Sequence, residues 1–313
     1  MYKLKEAVLF FHIKNETIIQ LGKKKWKVLD AQMELYDFLK HDIKVTNDEE
    51  QKYFNFLMEE KLLTEKMIYS KDRFLKNRFY FEDISKGINN RYQEDFFKKK
   101  VMIIGLGGVG SVVLFNLVAM GVKHFILIDG DNVDISNFNR QIMFDIDDIG
   151  KSKVVALKEK LHKIDNSIEV EICDRYIENS DDINKLTYFD YELLVNAADT
   201  PQNLNVLLLE NIKMKKNDFI TAGVGLHSGK FTSVISNYYL NDALAYFQNT
   251  IPEEKGTILK ASISPTNMLI SALLSNEILK YWTSDRLTIP KINYIDFDNY
   301  TIESEGILNE NRS

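Results

Sequence analysis

From about residue 96 onward, short continuous apolar runs alternate with longer segments of helical character. The runs lie at 101–104, 125–128 and 193–196, and their lack of polar alternation is typical of strands buried on both faces of a parallel sheet. Between the first two runs, Val112 to Met120 predicts a buried helix that ends at Gly121. The pattern predicts an α/β domain with a doubly wound, Rossmann-like, mostly parallel sheet over residues 96–313.

The first 95 residues follow a different pattern. Short β segments are predicted at 7–13, 17–21, 25–29 and 66–70. Between the last two we expect a helix from Ala31 to Leu39 with Asp30 as its N-cap, and a second helix that begins at a capping box formed by Thr46 and Glu49. These elements predict a small winged-helix-like α+β domain over residues 1–95.

The ligand of this N-terminal domain is predicted from its charges. A winged helix usually suggests DNA, but the second helix opens with Asp48, Glu49 and Glu50, which repel phosphates. We therefore expect the domain to bind a peptide by strand addition to an exposed sheet edge. A packing module without any ligand is the alternative.

Composition narrows the protein class. The chain has 313 residues, a formal net charge of -6 and one cysteine. The charge argues against a nucleic-acid binder, and one cysteine excludes internal disulfides and every CxxC zinc site. The N-terminus lacks a signal-peptide pattern and no apolar run approaches eighteen residues. We expect a cytoplasmic protein that neither spans nor binds a membrane.

A glycine-rich turn follows the first buried strand. Gly105, Gly107, Gly108 and Gly110 form a GxGxxG pattern between strand and helix, and Asp129 ends the next strand. Glycines let the backbone approach phosphate, a helix N-terminus favours negative charge, and an acid at this spacing can accept hydrogen bonds from ribose. The context predicts nucleotide binding. These features alone would fit an NAD-dependent dehydrogenase equally well.

Polar residues beyond the second strand favour a different chemistry. This stretch contains Asp131, Ser136, Asn137, Arg140 and Lys153. Hydride transfer needs no such cluster, whereas attack on a phosphoryl centre does, because negative charge accumulates on the α-phosphate and the leaving pyrophosphate. Arg140 and Lys153 could instead be structural ion-pair partners of Asp131 or Asp134.

A further acid follows the third apolar run. Asp199 is expected at the carboxyl end of that strand, where open α/β sheets place their ligands. A carboxylate there could hold Mg²⁺, which typically takes one or two protein carboxylates together with phosphate oxygens. Asp199 could also merely cap the next helix.

Four motifs together carry a family resemblance. GLGGVG, LIDGDNVDISNFNRQ, GKSK and NAADTP resemble the ThiF-type adenylyltransferases, which activate carboxylates by ATP-dependent adenylation and include ubiquitin-activating enzymes. The resemblance covers residues 101 to about 285. Within the family, the chain is similar to the peptide-adenylating enzymes of microcin C biosynthesis, which carry a small N-terminal peptide-clamp domain.

This resemblance implies roles for individual residues. It implies that Gly108 and its neighbours contact ATP, that Asp129 binds ribose, and that Asp199 ligates Mg²⁺. It also implies that Asn137, Arg140 and Lys153 hold the triphosphate. Arg78, followed by Ser85 and Gly87, would act in trans on the partner's nucleotide in a homodimer, although Arg73 lies nearby and leaves the register open.

The chain also departs from the family. Many members hold a structural zinc with two CxxC pairs, and several form a thioester on a cysteine; this chain has only Cys173. We expect no zinc, a buried and inert Cys173, and no conjugation cascade. The segment 248–260 is expected to cross over the bound acceptor.

The function implied by these resemblances is ATP-dependent adenylation of a ribosomally made precursor peptide bound by residues 1–95, as in peptide-antibiotic biosynthesis of the microcin C type. One alternative is pantocin-like activation of peptide glutamates for cyclodehydration. Others are a sulfur-carrier adenylyltransferase, a catalytically silent recruiter of leader peptides, and the dehydrogenase.

Overall fold

The computed structural model describes residues 1–69, 71–84, 91–212, 216–251, 261–284 and 287–308. The chain divides into two compact units, Met1–Asp95 and Phe96–Ser313. The first is a small α+β domain, and the second contains a large, mostly parallel sheet with helical connections. The predicted fold class is therefore confirmed.

Two small antiparallel sheets form the β part of the first unit. One pairs β1 (Tyr2–Leu4) with β5 (Leu63–Glu65), and the other is a meander of β2 (Leu9–Ile13), β3 (Glu16–Leu21) and β4 (Lys24–Leu29). The prediction of a β segment at 66–70 is wrong, because the strand ends at Glu65. Residue 70 lies outside the described residues. The buried side chain of Leu63 belongs to the core of this unit, whereas Ile68 is exposed.

Among the described residues, three helices lie wholly in the first unit: α1 (Glu34–Leu39), α2 (Asp48–Glu59) and α3 (Leu75–Ile84). Helix α1 starts three residues later than predicted. Asp30 still satisfies its first turn, since its carboxylate accepts from the backbone N–H groups of Leu35 at 3.2 Å and Tyr36 at 3.0 Å. It also accepts from the hydroxyl of Thr17 at 2.6 Å, which fixes the helix start to β3.

The capping box of α2 lies one residue away from its predicted position. Asn47 is the N-cap, and its side chain accepts from the backbone N–H of Glu50 at 2.8 Å. The carboxylate of Glu50, rather than Glu49, accepts from the backbone N–H of Thr46 at 2.6 Å. Two adjacent candidate caps and two adjacent glutamates gave equally good spacings, so sequence alone could not choose between them.

A buried carboxyl group in the first unit gives a stability prediction. Glu82 on α3 is 2% exposed, with the ammonium of Lys3 3.7 Å away. Burial raises the pKa of Glu82, and the positive charge of Lys3 offsets this only in part. The native state therefore holds this proton more tightly than the unfolded state does, so its contribution to stability falls as pH rises through the folded pKa.

We expect Glu82→Gln to raise the Tm at pH 7.5 by about 2–4 °C, which corresponds to about 1 kcal/mol. The gain should vanish near pH 4, below the unfolded pKa, where Glu82 is protonated in both states. Lys3 keeps Glu6 as a partner at 3.0 Å. The more exposed neighbour Asp83 supplies a control, Asp83→Asn, measured by thermal unfolding at both pH values. A gain that is equal at the two pH values would contradict the assignment.

The second unit is built on one sheet of eight strands in the order β13-β12-β11-β10-β9-β6-β7-β8. Its strands are β6 (Lys100–Ile104), β7 (His124–Ile128), β8 (Glu169–Cys173), β9 (Leu193–Asn196), β10 (Asp218–Val224), β11 (Ser228–Thr232), β12 (Lys291–Asp296) and β13 (Thr301–Gly306). The strands from β6 to β10 are parallel, and the last three are antiparallel. The chain reverses its direction of winding between β6 and β9, which creates a topological switch point there.

Helices connect these strands and pack on the sheet. They are α4 (Tyr92–Lys98), which contains the boundary between the units, α5 (Gly110–Met120), α6 (Lys153–Ile164), α7 (Ser180–Asn184), α8 (Leu204–Ile212), α9 (Leu240–Asn249) and α10 (Ser264–Trp282). Helix α5 ends at Gly121, whose φ of 109° is left-handed, as its predicted role as a helix stop requires. No helix in the described part of the chain is both long and apolar enough to cross a bilayer.

Candidate active site

A cavity of about 1020 Å³ opens at the carboxyl ends of the parallel strands, at the switch point of the second unit. Three of the residues that line it lie at strand ends: Gly105 follows β6, Asp129 follows β7, and Asp199 lies just beyond β9. Of the predicted site residues in this unit, nine border the cavity: Gly105, Gly107, Gly108, Asp129, Asp131, Asn137, Arg140, Lys153 and Asp199.

The glycine turn packs backbone against backbone. Gly105 has a φ of 83°, which favours glycine, and a β-carbon there would lie 2.6 Å from the nitrogen of Ala198. A β-carbon on Gly110 would lie 1.8 Å from the carbonyl oxygen of Gly105. Gly110, predicted to contact the nucleotide, is absent from the cavity wall described here. Its place at the start of α5 instead allows the turn to close onto that helix.

The carboxylate of Asp129 is fixed by the backbone. Its Oδ2 accepts from the N–H of Leu106 at 2.6 Å, and its Oδ1 accepts from the N–H of Asp131 at 2.8 Å. Burial raises the pKa of Asp129, although Lys153 and these backbone donors act in the opposite direction. Each oxygen retains acceptor capacity, so the carboxylate could bind two hydroxyl groups of a ribose.

The buried Lys153 pairs with a partly exposed acid at the cavity wall. Its Nζ donates to Asp131 Oδ2 at 2.7 Å, and Tyr176 Oη donates to Asp131 Oδ1 at 2.5 Å. Burial alone would raise the pKa of Asp131, but these two hydrogen bonds hold it below its ordinary value. The bond to Asp131 also raises the pKa of Tyr176 to about 12. The ion pair between Lys153 and Asp131 is thus present, and it borders the same cavity.

The loop after β7 places Asn137 and Arg140 at the wall. Asn137 Oδ1 accepts from the N–H of Asp134 at 3.1 Å, and Arg140 Nη1 donates to the carbonyl of Ser136 at 3.1 Å and to Asn139 Oδ1 at 2.9 Å. Across the residues described, no carboxylate lies within 4.0 Å of the Arg140 guanidinium, which is therefore available to an anionic ligand. Ser136, predicted to bind the nucleotide, is exposed and is absent from the cavity wall.

Asp199 is exposed in the cavity, where it accepts from the hydroxyl of Thr200 at 3.2 Å. Helix α8 begins only at Leu204, so Asp199 does not occupy its N-cap position. Within the described ranges, no three His, Cys, Asp or Glu side chains are grouped to hold a metal. One carboxylate exposed in the cavity fits Mg²⁺ bound mainly by phosphate oxygens and water.

The structure adds residues that sequence analysis missed. Lys230 on β11 and Tyr176 both border the cavity. Gln141 also borders it, is 2% exposed, and has an Oε1 without a hydrogen-bond partner among the described residues. A buried acceptor left open at a cavity is expected where a ligand donates to it. In the sequence, the signal that could have identified Gln141 as a site residue was its position directly after Arg140.

Several other expectations have separate outcomes. In the first unit, Arg78 lies on α3, and its Nη1 donates to Asp72 at 2.6 Å; its role in trans stays a prediction. Ser85, Gly87 and most of the segment 248–260 lie outside the described residues. Cys173 is half-buried rather than buried, and burial raises the pKa of its thiol, which disfavours the thiolate.

Comparison with known proteins gives both a family and a fold. The ThiF family model matches residues 80–312. The structure is similar to that of E. coli MccB in a crystal structure with AMPCPP and MccA, with a TM-score of 0.79, 22% identity, and 99% of this chain and 98% of that chain covered. At this identity the similarity establishes the fold.

Two curated relatives are named adenylyltransferases. The adenylyltransferase and sulfurtransferase UBA4 of Debaryomyces hansenii is 26% identical over 190 residues, which are 59% of this chain and 41% of that protein. The sulfur carrier protein adenylyltransferase of Thermus thermophilus is 28% identical over 123 residues, or 39% of this chain and 45% of that protein. The chain thus spans less than half the length of these relatives.

Proposed function

The chain belongs to the ThiF family, and from this membership we propose that it is an adenylyltransferase that transfers the AMP moiety of ATP to an acceptor carboxylate. The acceptor would be a ribosomally made precursor peptide in peptide-antibiotic biosynthesis. The family resemblance predicted from the motifs is confirmed by the match, and family membership argues against the dehydrogenase.

One observation carries the proposal. A single cavity at the switch point brings together a glycine turn, the ribose-binding candidate Asp129, the cations Arg140 and Lys153, and the carboxylate of Asp199. A dinucleotide-dependent oxidoreductase needs the first two features but not the others. A nucleotidyl transfer needs all of them, because negative charge accumulates in its transition state on the transferred phosphoryl group and the leaving pyrophosphate.

In the proposed reaction, an oxygen of the acceptor carboxylate attacks the α-phosphorus of ATP. The bond between that phosphorus and the oxygen bridging to the β-phosphate breaks, and pyrophosphate leaves with both bonding electrons. Arg140 and Lys153 lower the barrier by neutralising charge on the phosphates. Asp199 would hold Mg²⁺, which when bound shields the phosphate oxygens from the incoming carboxylate.

One feature of the first unit and one comparison support a peptide acceptor. Within that unit β2 and β4 are the outer strands of the meander, and their exposed residues include Leu9 and Leu29, which are 62% and 80% exposed. Such edges can take an added peptide strand. The structurally similar MccB was crystallised with MccA. Residues 1–95 would recruit the precursor and raise its effective concentration, with Arg78 completing the partner's site in a homodimer.

A sulfur-carrier protein is the second candidate acceptor, because a curated relative is named a sulfur carrier protein adenylyltransferase. Such an acceptor requires no peptide-binding domain. Variants that disrupt the β4 edge without unfolding the chain would separate the candidates: they should weaken adenylation of a peptide substantially and leave adenylation of a carrier protein unchanged. A pantocin-like outcome would instead appear as loss of water from peptide glutamates.

We expect Asp199→Asn to reduce pyrophosphate release in the presence of a competent acceptor by at least about 100-fold, because Mg²⁺ held by Asp199 would stabilise the anionic transition state by several kcal/mol. The exposed Asp147, which lies outside the cavity wall, supplies the control Asp147→Asn. Both variants should keep the parent Tm. Pyrophosphate release by Asp199→Asn at the parent rate would contradict the role assigned to Asp199.

A further inference from the structure

Tyr176 connects two loops at the wall of the cavity. It lies in the loop after β8, and its hydroxyl donates to Oδ1 of Asp131, in the loop after β7, at 2.5 Å. Both residues border the cavity, as do Arg175 and Ile177 on either side of the tyrosine. The hydrogen bond joins side chains 45 residues apart in the chain, so it fixes the spacing of the two loops where they meet the cavity.

The absence of a side chain at Gly130 lets these two loops approach each other. A β-carbon at Gly130 would lie 2.7 Å from the backbone nitrogen of Tyr176 and 2.8 Å from its Cδ2. Both distances are shorter than real β-carbons make. The loop after β8 therefore packs directly on the backbone of residue 130, and this packing brings the Tyr176 hydroxyl within reach of Asp131.

The two carboxylate oxygens of Asp131 have different partners. Oδ1 accepts from Tyr176, whereas Oδ2 accepts from Nζ of Lys153 at 2.7 Å. The backbone N–H of Lys153 also donates to the carbonyl of Asp131 at 3.0 Å. Because Tyr176 holds one oxygen, the carboxylate cannot turn without breaking that hydrogen bond. The position of the other oxygen then sets the position of the lysine ammonium.

Lys153 keeps donor capacity for a ligand. An ammonium has three N–H donors, and among the residues described the hydrogen bond to Asp131 is the one that Nζ makes. The lysine side chain is 4% exposed and borders the cavity, where charges are screened less than in water. The direction of this ammonium therefore matters for its interaction with a phosphate in the cavity.

Tyr176 remains a hydrogen-bond donor at neutral pH. The bond to Asp131 raises the pKa of Tyr176 to about 12, so the phenol keeps its proton. Burial alone would raise the pKa of Asp131, but the hydrogen bonds from Lys153 and Tyr176 hold it below its ordinary value. Asp131 is thus ionised, and it accepts from a phenol that does not titrate near neutral pH.

We propose that Tyr176 is a positioning residue: it holds Asp131 in place, and Asp131 aims the ammonium of Lys153 at the phosphates of ATP. This inference rests on the proposed function, which places the triphosphate beside Lys153. Tyr176 acts through Asp131 and does not itself bind the phosphates. Its effect on the nucleotide therefore requires the carboxylate at position 131.

A double-mutant cycle in the full chain tests this requirement. Tyr176→Phe removes only the hydroxyl group, and it is introduced both into the parent and into Asp131→Ala, which lacks the shared acceptor. Tyr188→Phe is the matched control, because Tyr188 is 91% exposed and lies outside the cavity wall. One measurement is the Kd of AMPCPP, which cannot release pyrophosphate, in the presence of Mg²⁺. The others are the Tm, and the kcat and KM of pyrophosphate release from ATP with short peptides encoded beside this gene.

We expect Tyr176→Phe to raise the Kd of AMPCPP about threefold and to lower kcat about tenfold, because an aimed cation acts most strongly on the charge that accumulates in the transition state. In Asp131→Ala, the same replacement should change both values by less than about 1.5-fold, since the acceptor is already gone. Tyr188→Phe should match the parent. Both single tyrosine variants should keep the Tm within about 2 °C of the parent.

Three results would overturn the inference. The first is a parent-like Kd and kcat in Tyr176→Phe. The second is an equal loss with and without the Asp131 carboxylate, which would mean that the phenol acts on the nucleotide directly. The third is a fall in the Tm of Tyr176→Phe by more than about 5 °C, which would mean that Tyr176 serves the fold.

AMPCPP separates this inference from the proposed function, because its binding requires no transfer. If the Kd values follow the expected cycle but no adenylyl peptide forms from ATP, Tyr176 still positions Lys153 and adenylyl transfer is wrong. If adenylyl peptide forms with the same kcat and KM in the parent and in Tyr176→Phe, adenylyl transfer stands and the role of Tyr176 is wrong.

Discussion

Replacing Gly110 with alanine is expected to lower the Tm by about 5–10 °C and to abolish ATP binding. The new β-carbon would lie 1.8 Å from the carbonyl oxygen of Gly105, and a backbone atom cannot move aside as a flexible side chain can. Gly105 is itself held by its left-handed φ and by the backbone of Ala198. Overpacking of this kind costs about 2–3 kcal/mol, and relief requires the glycine turn to open.

Gly107→Ala is the matched control for that variant. A β-carbon at Gly107 would make only an ordinary contact, 3.7 Å from Nε2 of Gln141. It should therefore leave the Tm within about 2 °C of the parent, while weakening ATP binding because Gly107 borders the cavity. Thermal unfolding and titration with AMPCPP measure both effects. Parent-like stability and affinity in Gly110→Ala would contradict the packing described for the turn.

Replacing Lys153 with methionine is expected to reduce kcat/KM for adenylation by about 1000-fold. The variant removes a cation whose side chain is 4% exposed at the cavity wall, where charge interactions are stronger than in water. It also leaves the carboxylate of Asp131 without its lysine partner beside the triphosphate. The triphosphate loses the attraction of Lys153 and is repelled by Asp131, and both changes lower activity. The loss of kcat/KM should therefore exceed that caused by removing a single surface charge.

Two further variants separate these contributions. In Lys153→Met with Asp131→Asn, the repulsive carboxylate is gone, so part of the lost activity should return. Lys151→Met removes a lysine two residues earlier that pairs with Glu159 at 3.2 Å, outside the cavity wall, and it should retain parent activity. Steady-state pyrophosphate release measures all three. Parent-like kcat/KM in Lys153→Met would show that Lys153 serves the fold alone.

The sequence predicted those parts of the site that follow directly from strand ends. Gly105, Asp129 and Asp199 lie immediately after or near the ends of buried parallel strands, and such strand ends meet at one edge whatever the details of packing. Local spacing predicted less well where two adjacent residues could play the same role. The N-cap of α2, for example, is Asn47, one residue after the predicted position.

Residues placed by long-range pairing could not be predicted in the same way. Lys230 faces the cavity because the register of β11 sets it opposite Gly223 and Tyr294, and a shift by one residue would turn it to the other face of the sheet. Tyr176 reaches Asp131 from a loop after β8, 45 residues away along the chain. Ser136 and Gly110, by contrast, matched the motif in sequence but are absent from the cavity wall.

We propose that this cavity transfers an adenylyl group from ATP to a peptide. Mass spectrometry tests it most directly, after short peptides encoded beside this gene are incubated with the enzyme, Mg²⁺ and each nucleoside triphosphate in turn. We expect a peptide that has gained one nucleotidyl group, with ATP as the preferred donor, together with an equal amount of pyrophosphate. Two results would contradict this proposal. In one, the peptides stay unmodified while ADP and inorganic phosphate form; in the other, the peptides stay unmodified and no nucleotide is consumed.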